Sequence, residues 1–540
     1  MSESNFWADQ VAKQVVEREK QLNRTHTFRT EMGLGASGIP HVGSAGDGIR
    51  SYVVNLALRE LGVKSEFIAF SDDKDGLRKV PAGFPEAMEK DIGKPVSSID
   101  DPFGCHDTMA SHISALLTDA FEKIGVEFRL LRAHEEYAKG TLDKQIVIAL
   151  KNAKRCGEII REITGQEKYL TQLPYIAVCS ECGRLYTTRV YRFDEDGTIH
   201  YKCDQNFSGK NSNTGKILEI EGCGHDGVCG IRDGKLAWKV EFAARWTALK
   251  INYEAFGKDI LDSVRCNDKI SSEIFGWEPP VHSFYELFTE RSGKKISKSA
   301  GNVFTPARWM KYASPESLRL LFLKRLGTSR VVDPDAIPAY MDEVDELAKV
   351  YFESGRRKAS GSSKVANVKE LEHQKRLFEY VNFLKPQEVK VMVQYSMLAN
   401  LMRIAKNKDV VKEILRRTGH LPAELSAEDA KELDSRVDYV TNWINDTVPE
   451  EKIVYSLSDA QRKAVKKLAY ELESKQWTEE ELHARLFAIP KEEGMEVGKF
   501  FEAAYVLLLN SLRGPRLAQF ICAVGCEKSA DIMKGRMNEF

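Results

Sequence analysis

Residues 33–44 have the sequence GLGASGIPHVGS, a glycine-rich stretch between a strand-like and a helix-like segment. The preceding residues 25–30 (THTFRT) are β-branched and aromatic, as in a strand, and residues 47–61 carry apolar side chains at helical spacing. Four glycines within eleven residues let the backbone approach a ligand closely, and a following helix directs free N–H groups at an anion. The stretch therefore predicts a nucleotide site between a strand and a helix, although glycine alone would also fit an ordinary turn.

The composition is that of an ordinary soluble protein with several domains. At 540 residues the chain is too long for one hydrophobic core and should hold about three or four domains. Lysine and arginine number 79 against 80 acidic residues, so a polyanionic partner would have to meet local basic patches. The polar N-terminus does not resemble a signal peptide, and no apolar run is long enough to span a membrane. We therefore expect a cytoplasmic protein without a membrane partner.

Strand-like and helix-like segments alternate in the first half of the chain. Residues 65–70 (SEFIAF) predict a second strand, and Asp72 and Asp73 come directly after it. This alternation is typical of a parallel α/β sheet, whose ligands lie at the carboxyl ends of the strands. The glycine-rich stretch and the two aspartates could therefore share one crevice, whereas the alternative for the aspartates is a solvated turn.

Residues 175–235 are predicted to be an insertion with its own metal site. Five of the ten cysteines fall between residues 179 and 229, and this clustering favours metal binding over disulfide bonds. Zn²⁺ takes four thiolate or imidazole ligands at tetrahedral corners, and a closed set without a catalytic base predicts a structural site. The predicted ligands are Cys179, Cys182, Cys203 and Cys223, with His225 and Cys229 in reserve. The alternative is a group of reduced cysteines without metal.

Two tryptophans and a carboxylate follow the insertion within a few residues. Aromatic walls formed by Trp238 and Trp246 would suit an alkyl chain, and Glu241 would suit an ammonium group. The periodicity by itself favours the alternative, a core helix with both tryptophans packed inward.

A lysine-rich segment lies well downstream of the glycine-rich stretch. Residues 293–302 (GKKISKSAGN) could form a mobile loop that closes over a triphosphate and neutralises charge on the leaving pyrophosphate. Residues 40–43 (PHVG) resemble the HIGH signature of class I aminoacyl-tRNA synthetases, and residues 295–299 (KISKS) resemble their KMSKS loop. The two signatures occur in the expected order, with an insertion between them. Ser44 and Ile296 depart from the two patterns.

Further sequence segments resemble one particular family among the class I synthetases. The segments GLGASGIPHVG, SDDKDGLRKVP, DPFG, WKVEFAARW, FGKD and EPPVHSFYELF resemble class I lysyl-tRNA synthetase. The resemblance extends over residues 25–330, and residues 513–517 (RGPRL) resemble the family too. The family usually has His after GKD, where Ile260 stands here, and its WKVDW is WKVEF in this chain. These departures concern contacts to lysine or adenosine more than the class of reaction.

The resemblance implies that the chain activates L-lysine with ATP and Mg²⁺ and transfers it to tRNA(Lys). It also implies that His41 contacts the phosphates, that Gly43 leaves room for adenine, and that the loop lysines stabilise the leaving pyrophosphate. The expected catalytic residues are His41, Lys295 and Lys298. The expected ATP-binding residues are Gly35, Ser37, Gly38, His41, Gly43, Lys295, Ser297 and Lys298. The expected substrate-binding residues are Asp72, Trp238, Glu241 and Trp246.

The chain after about residue 335 is predicted to be nearly all helix. One glycine, Gly419, occurs between residues 371 and 490, and capping boxes are expected at residues 458–461 and 478–481. In the family this region is a helical cage that receives the tRNA anticodon. The predicted fold is therefore an α/β, Rossmann-like parallel-sheet catalytic domain with a zinc-binding insertion, followed by an all-α C-terminal half. The predicted domains are 1–174 with 236–290 (catalytic), 175–235 (zinc-binding insertion), 291–335 (KMSKS loop and connecting region) and 336–540 (helical tRNA-binding region).

The residues leave three other functions open. Another class I synthetase of similar build, such as a glutamyl enzyme, would share both signatures. A catalytically silent tRNA-binding paralogue would fit Ser44 and Ile260, although the intact loop lysines and His41 argue against it. A nucleotidyltransferase without an RNA partner is disfavoured by the large helical C-terminal half.

Overall fold

A computed structural model shows the chain as two units. It describes residues 6–24, 26–35, 38–40, 42–286, 288–289, 304–328, 330–359, 368–388, 393–405, 407–422, 424–447, 455–514 and 516–539. The first unit comprises Met1–Trp309, Pro315–Asp333 and Glu353–Pro386. The second unit comprises Met310–Ser314, Pro334–Phe352 and Gln387–Phe540.

A five-stranded parallel sheet forms the centre of the first unit. In chain order its strands are β1 (Phe28–Leu34), β2 (Ser65–Ser71), β3 (Arg129–Arg132), β4 (Tyr253–Gly257) and β5 (Val281–Tyr285). Their spatial order is β5-β4-β1-β2-β3, the order of a Rossmann-like sheet. The predicted α/β fold class is confirmed. The strand order reverses between β1 and β4, and in such sheets a ligand crevice opens at that point, outside the carboxyl ends of the strands.

Helix Val42–Glu60 joins β1 to β2 and packs directly on the sheet. Gly48 is the point of closest approach, because a Cβ atom there would lie 2.2 Å from Phe121 Cζ and 2.9 Å from Met32 Sδ. A glycine at this position therefore lets the helix lie close to β1 and to the neighbouring helix Met109–Ile124.

The predicted insertion is built from short strands. Tyr175–Ala177 and Gly234–Leu236 pair antiparallel, so the two ends of the segment lie side by side. Three antiparallel strands follow within it: Arg189–Phe193, Ile199–Lys202 and Asp226–Cys229. A further hairpin of Phe207–Asn211 and Ile217–Ile220 pairs with Lys79–Val80. These small sheets hold the cysteine-bearing loops.

The remaining described elements before residue 387 are helices, short 3₁₀ turns and one short pair of strands. Further helices are Trp7–Gln21, Ala133–Lys139, Asp143–Lys151, Ala153–Thr164, Lys168–Thr171, Trp238–Leu249, Leu261–Glu273, Pro306–Tyr312, Pro315–Leu323, Ile337–Ala359 and Val368–Val381. Short 3₁₀ turns are Glu86–Asp91, Val96–Ser98, Lys258–Ile260 and Pro334–Ala336. Phe288–Thr289 and Arg330–Val331 form a short parallel pair.

All regular elements among the described residues of the second unit are helices, in agreement with the prediction of a nearly all-helical region. After residue 387 its helices are Tyr395–Ala405, Lys408–Arg417, Ala427–Thr447, Asp459–Ser474, Glu479–Glu492, Val497–Leu509, Leu517–Val524 and Cys526–Arg536. Both expected capping boxes are present, with Ser458 paired to Gln461 and Thr478 paired to Glu481. Among the described helices of the whole chain, none combines the length and the apolar character that crossing a membrane requires.

Candidate active site

A cavity of about 300 Å³ opens at the switch point of the parallel sheet. Gly33 and Gly35, at the end of β1, line one side, and Glu254, in β4, lines another. Asp72, the first residue after β2, also lines the cavity, as does Ile260. The glycine-rich stretch and the aspartate after the second strand thus border one crevice.

One wall of this cavity is aromatic. It contains Trp238 and Phe242 from helix Trp238–Leu249 and Phe256 from β4. The ring centroids of Trp238 and Phe242 lie 5.1 Å apart at 75°. The Phe242 and Phe256 rings are nearly parallel, with centroids 6.3 Å apart. This wall offers an alkyl chain a continuous apolar surface.

Arg245 is the centre of a buried ion cluster beside the cavity. Its Nε lies 2.5 Å from Glu31 Oε1, its Nη1 lies 3.0 Å from Asp72 Oδ1, and its Nη2 lies 3.5 Å from Glu254 Oε1. Trp246 is fully buried and donates its Nε1–H to Glu254 Oε2 at 2.6 Å. Two of the three carboxylates, those of Asp72 and Glu254, belong to residues that line the cavity.

A second buried cation, Lys235, lies close to this cluster. Its Nζ lies 2.7 Å from Glu241 Oε2 and also contacts Asp75. Tyr137 donates its hydroxyl proton to Glu241 Oε1 at 2.7 Å. Glu241 is therefore ion-paired inside the fold, and only 1% of its side chain is exposed.

The two clusters together place five carboxylates against two cations. Burial raises the pKa of Glu31 and of Glu254, and the charge of Arg245 opposes both shifts. Burial also raises the pKa of Asp72 to about 7, against the attraction of Arg245 and with a further rise from Asp75. A positive charge brought by a ligand would oppose these shifts, because it stabilises the ionised form of each nearby carboxyl.

The expected site residues occupy different positions relative to the cavity. Gly35, Asp72 and Trp238 line it. Glu241 and Trp246 are outside the cavity lining and belong to the two ion clusters. Gly38 precedes helix Val42–Glu60, and Gly43 lies in its first turn. His41, Ser37, Lys295, Ser297 and Lys298 lie outside the described residues.

Sequence patterns did not identify the buried charges Glu31, Arg245 and Glu254. Glu31 and Glu254 nevertheless had a usable signal, because each is a carboxylate inside an otherwise buried strand. Such a group is rarely buried without a cation, which could have prompted a search for the partner.

The four cysteines expected to bind metal come together in the insertion, with all four sulfurs within 4.8 Å of one another. Cys179 Sγ lies 3.6 Å from Cys223 Sγ, and Cys182 Sγ lies 3.7 Å from Cys203 Sγ. A tetrahedral zinc ion with Zn–S bonds of about 2.3 Å places its sulfurs about 3.8 Å apart. The spacing of the thiols therefore fits Zn²⁺.

Neighbouring groups orient these cysteines. The backbone N–H of Cys223 donates to Cys203 Sγ at 3.4 Å, and Thr187 Oγ1 lies 3.2 Å from the same sulfur. His225 is turned to another partner, with its Nε2 3.0 Å from Ser180 Oγ. Neither His225 nor Cys229 belongs to a metal-sized group among the side chains that the structure describes.

Comparison with known proteins agrees with this architecture. Residues 5–382 match the family model for class I tRNA synthetases (K), and residues 426–531 match that of an anticodon binding domain. A lysine–tRNA ligase of Cenarchaeum symbiosum (strain A) is 39% identical over 539 residues, which cover 98% of each chain. A lysine–tRNA ligase of Natronomonas pharaonis is 31% identical, with 96% of this chain and 95% of that protein covered. One of Roseobacter denitrificans is 29% identical, with 98% and 96% covered.

Proposed function

Because the chain belongs to the family of class I tRNA synthetases (K), we propose that it is a lysine–tRNA ligase. In the first step a carboxylate oxygen of L-lysine attacks the α-phosphorus of ATP, and the bond to pyrophosphate breaks to leave lysyl-adenylate. In the second step a ribose hydroxyl at the 3′ end of tRNA(Lys) attacks the lysyl carbonyl, and AMP leaves. No protein nucleophile is needed, because the protein orients the reactants and stabilises the developing charge.

The observation that carries this proposal is the carboxylate-lined cavity with one aromatic wall at the switch point of the sheet. A buried ammonium without a partner would be very costly, and this cavity offers carboxylates of Asp72 and Glu254. The methylene chain of lysine would pack on Trp238, Phe242 and Phe256. Charge and shape therefore both match a lysine side chain.

The same charge argues against the glutamyl alternative. A glutamate side chain would add one more carboxylate to a cluster that already has five carboxylates and two cations. One cation, Arg78, also lines the cavity. Its Nε already donates to the Tyr186 hydroxyl at 3.2 Å, so its guanidinium is partly engaged within the protein. A lysine side chain instead reduces the excess negative charge.

Glu241 and Trp246 act through their neighbours in this proposal. Glu241 fixes Lys235, whose Nζ also contacts Asp75 at the cavity. Trp246 fixes the carboxylate of Glu254 through its indole N–H. Both are therefore positioning residues for the lysine side chain.

ATP would bind with its Mg²⁺ at the glycine-rich turn. Gly35, Gly38 and Gly43 lie where β1 gives way to helix Val42–Glu60, and a helix N-terminus attracts phosphate. Mg²⁺ would be held mainly by phosphate oxygens, which need few protein ligands. His41 is assigned to the phosphates, Gly43 to adenine packing, and Lys295 and Lys298 to the leaving pyrophosphate. Ser37 and Ser297 are further ATP-binding residues in this proposal.

The remaining parts of the chain have structural and recognition roles in the proposal. The helical segment 336–540, which contains the match to an anticodon binding domain, binds tRNA. Segments 1–174 and 236–290 form the catalytic domain, and segment 291–335 carries the pyrophosphate-binding loop. In segment 175–235 the four cysteines would hold a structural Zn²⁺ that cross-links short strands. The protein acts in the cytoplasm, where its tRNA substrate is found.

Aminoacylation of total tRNA with each amino acid separately tests the proposed function. Lysine alone should be esterified to tRNA, and the charged species should be tRNA(Lys). Charging with glutamate would support the glutamyl alternative, and tRNA binding without any adenylate formation would establish a silent paralogue.

A further inference from the structure

Another cavity, of about 290 Å³, lies in the first unit and shares no lining residue with the active-site cavity. Its walls come from four separate segments: the last turns of helix Val42–Glu60, the loop after helix Met109–Ile124, helix Pro315–Leu323 and the turn after helix Val368–Val381. We infer that this cavity binds a small anion that carries a phosphate group.

The cavity lies at the edge of the parallel sheet opposite to the active site. Helix Val42–Glu60 follows the carboxyl end of β1 and leads to the start of β2, so its last turns lie where the strands begin. Arg59 comes 17 positions after Val42 in this helix, which corresponds to about 25 Å along the helix axis. A ligand in this cavity is therefore separate from the lysine and ATP of the proposed reaction.

The charged residues around the cavity are mainly cations. Arg59, Arg319 and Lys385 line it, together with one carboxylate, Glu127. Glu316, outside the lining, contacts Arg319 at 3.1 Å, so the positive charges still exceed the negative ones by one. The ammonium group of Lys385 has no ion-pair partner within the part of the chain that the structure describes. Guanidinium and ammonium groups are the usual protein partners of phosphate.

Arg319 is the most buried of the three cations, with 8% of the residue exposed. Its Nε and Nη2 donate to the carbonyl oxygen of Ile124, and its Nη1 donates to that of Val381 at 2.9 Å. Its guanidinium lies 4.1 Å from the centroid of the Phe383 ring. Burial lowers the pKa of Arg319, and the charge of Glu316 opposes this shift. A bound anion would add to that opposition, because it also stabilises the charged guanidinium.

The turn that carries Lys385 has an uncommon backbone conformation. Phe383 and Leu384 both have positive φ, 48° and 62°, which for residues other than glycine persists only where surrounding contacts fix it. The backbone N–H of Leu384 donates to the carbonyl oxygen of Glu379 at 2.7 Å. The Phe383 ring packs edge-on against the Tyr52 ring, with centroids 4.9 Å apart at 87°. The turn therefore presents Lys385 to the cavity from a fixed backbone.

The burial of Arg319 favours a free anion or a terminal phosphate over a phosphate within an RNA strand. A phosphate inside a strand has a ribose on each side, and these would keep it from a guanidinium that is almost completely buried. Inorganic phosphate, or the phosphate of a small ester, meets no such obstacle. Because the anion would contact separate segments of the first unit, its binding should also stabilise that unit against unfolding.

Isothermal titration calorimetry of the full-length protein with inorganic phosphate, at low ionic strength, tests this inference. The wild type should bind phosphate, and Lys385→Ala should bind it about tenfold more weakly, because one charged hydrogen bond is lost. Glu127→Gln should bind it about threefold to tenfold more tightly, since this change removes a like charge and releases Arg59, whose Nη1 contacts Glu127 at 3.3 Å. Lys123→Ala is the matched control: it removes an exposed positive charge outside the lining and should bind phosphate as the wild type does.

Absence of phosphate binding by the wild type would overturn the inference. Equal affinities of the wild type, Lys385→Ala and Glu127→Gln would also overturn it, because phosphate bound at the glycine-rich turn would not respond to these changes. A misfolded variant would lose binding but would not gain affinity, so Glu127→Gln separates recognition from damage to the fold.

Titration with ribose 5-phosphate distinguishes the two forms of the ligand. Tighter binding than that of inorganic phosphate would support a phosphate ester, and weaker binding would support the free ion. Lysine-dependent ATP–pyrophosphate exchange should be unchanged in Lys385→Ala, since this residue is outside the active-site cavity. Failure of this inference would therefore leave the proposed function unaffected.

Discussion

Arg245 Nη1 lies 3.0 Å from Asp72 Oδ1, although the Arg245 side chain is fully buried and that of Asp72 is only 9% exposed. This pair is not isolated, because Glu31 and Glu254 contact the same guanidinium. One cation cannot neutralise three carboxylates. Asp72, at the cavity surface, therefore retains attraction for a further positive charge, which makes it the expected contact of the lysine ammonium.

Asp72→Asn should weaken lysine binding specifically. We expect KM for lysine in ATP–pyrophosphate exchange to rise about a hundredfold, because loss of one partner of a buried charge pair costs about 2–5 kcal/mol. The fold should persist, since Glu31 and Glu254 still neutralise Arg245. Asp73→Asn is the matched control: Asp73 contacts His134 instead of lining the cavity, so KM should change little. Equal effects of the two variants would contradict the assignment.

Lysine activation should depend on pH through Asp72. Burial raises the pKa of Asp72 to about 7, so this carboxyl is increasingly neutral below that pH and attracts the ammonium less. We therefore expect kcat/KM for lysine to fall as pH drops from about 8 to about 6. Asp72→Asn should remove this inflection. A profile that is identical in the variant would show that another group titrates.

Arg245→Met should destabilise the first unit. It leaves the buried carboxylates of Glu31, Asp72 and Glu254 without their common cation, and breaking such a cluster costs about 3–5 kcal/mol. Urea unfolding measures this loss. Arg245→Lys should be milder, since it keeps the charge but reaches fewer partners. If Arg245→Met unfolded at the wild-type urea concentration, the cluster would not contribute to stability.

Lys298→Ala should slow adenylate formation while leaving lysine binding nearly intact. The proposed contact with pyrophosphate strengthens as its bond to the α-phosphorus breaks, so its loss lowers kcat by about 10²–10³-fold with little effect on KM for lysine. Steady-state exchange kinetics separate the two parameters. A wild-type exchange rate in this variant would refute the assignment.

The parts of the fold that sequence predicted are those with local signals. The strand, glycine-rich turn and helix within residues 28–60 are contiguous in the chain. The spacing of the apolar residues and the glycine content are enough to identify them. The C-terminal helices were likewise predictable, because capping boxes such as Thr478 with Glu481 lie within four residues.

Local sequence signals could not predict which residues pair with one another in the buried charge network. Arg245 meets Glu31 from a strand more than two hundred residues earlier, and no local pattern specifies which charges the sheet brings together. For the same reason the sequence did not reveal that Glu241, expected to meet an ammonium group, is paired inside the fold with the ammonium of Lys235. Trp246 is packed inside the fold, which is the arrangement that the helical periodicity favoured, and its indole N–H donates to the Glu254 carboxylate.

The most direct test of the lysine-recognising cavity compares L-lysine, L-norleucine and L-glutamate in ATP–pyrophosphate exchange by the wild-type protein. Norleucine has the same chain without the ammonium group, so it fills the aromatic wall and leaves the carboxylates unpaired. We expect kcat/KM for lysine to exceed that for norleucine by about 10⁴-fold, and we expect glutamate to support no exchange. Comparable exchange with norleucine, or exchange driven by glutamate, would contradict it.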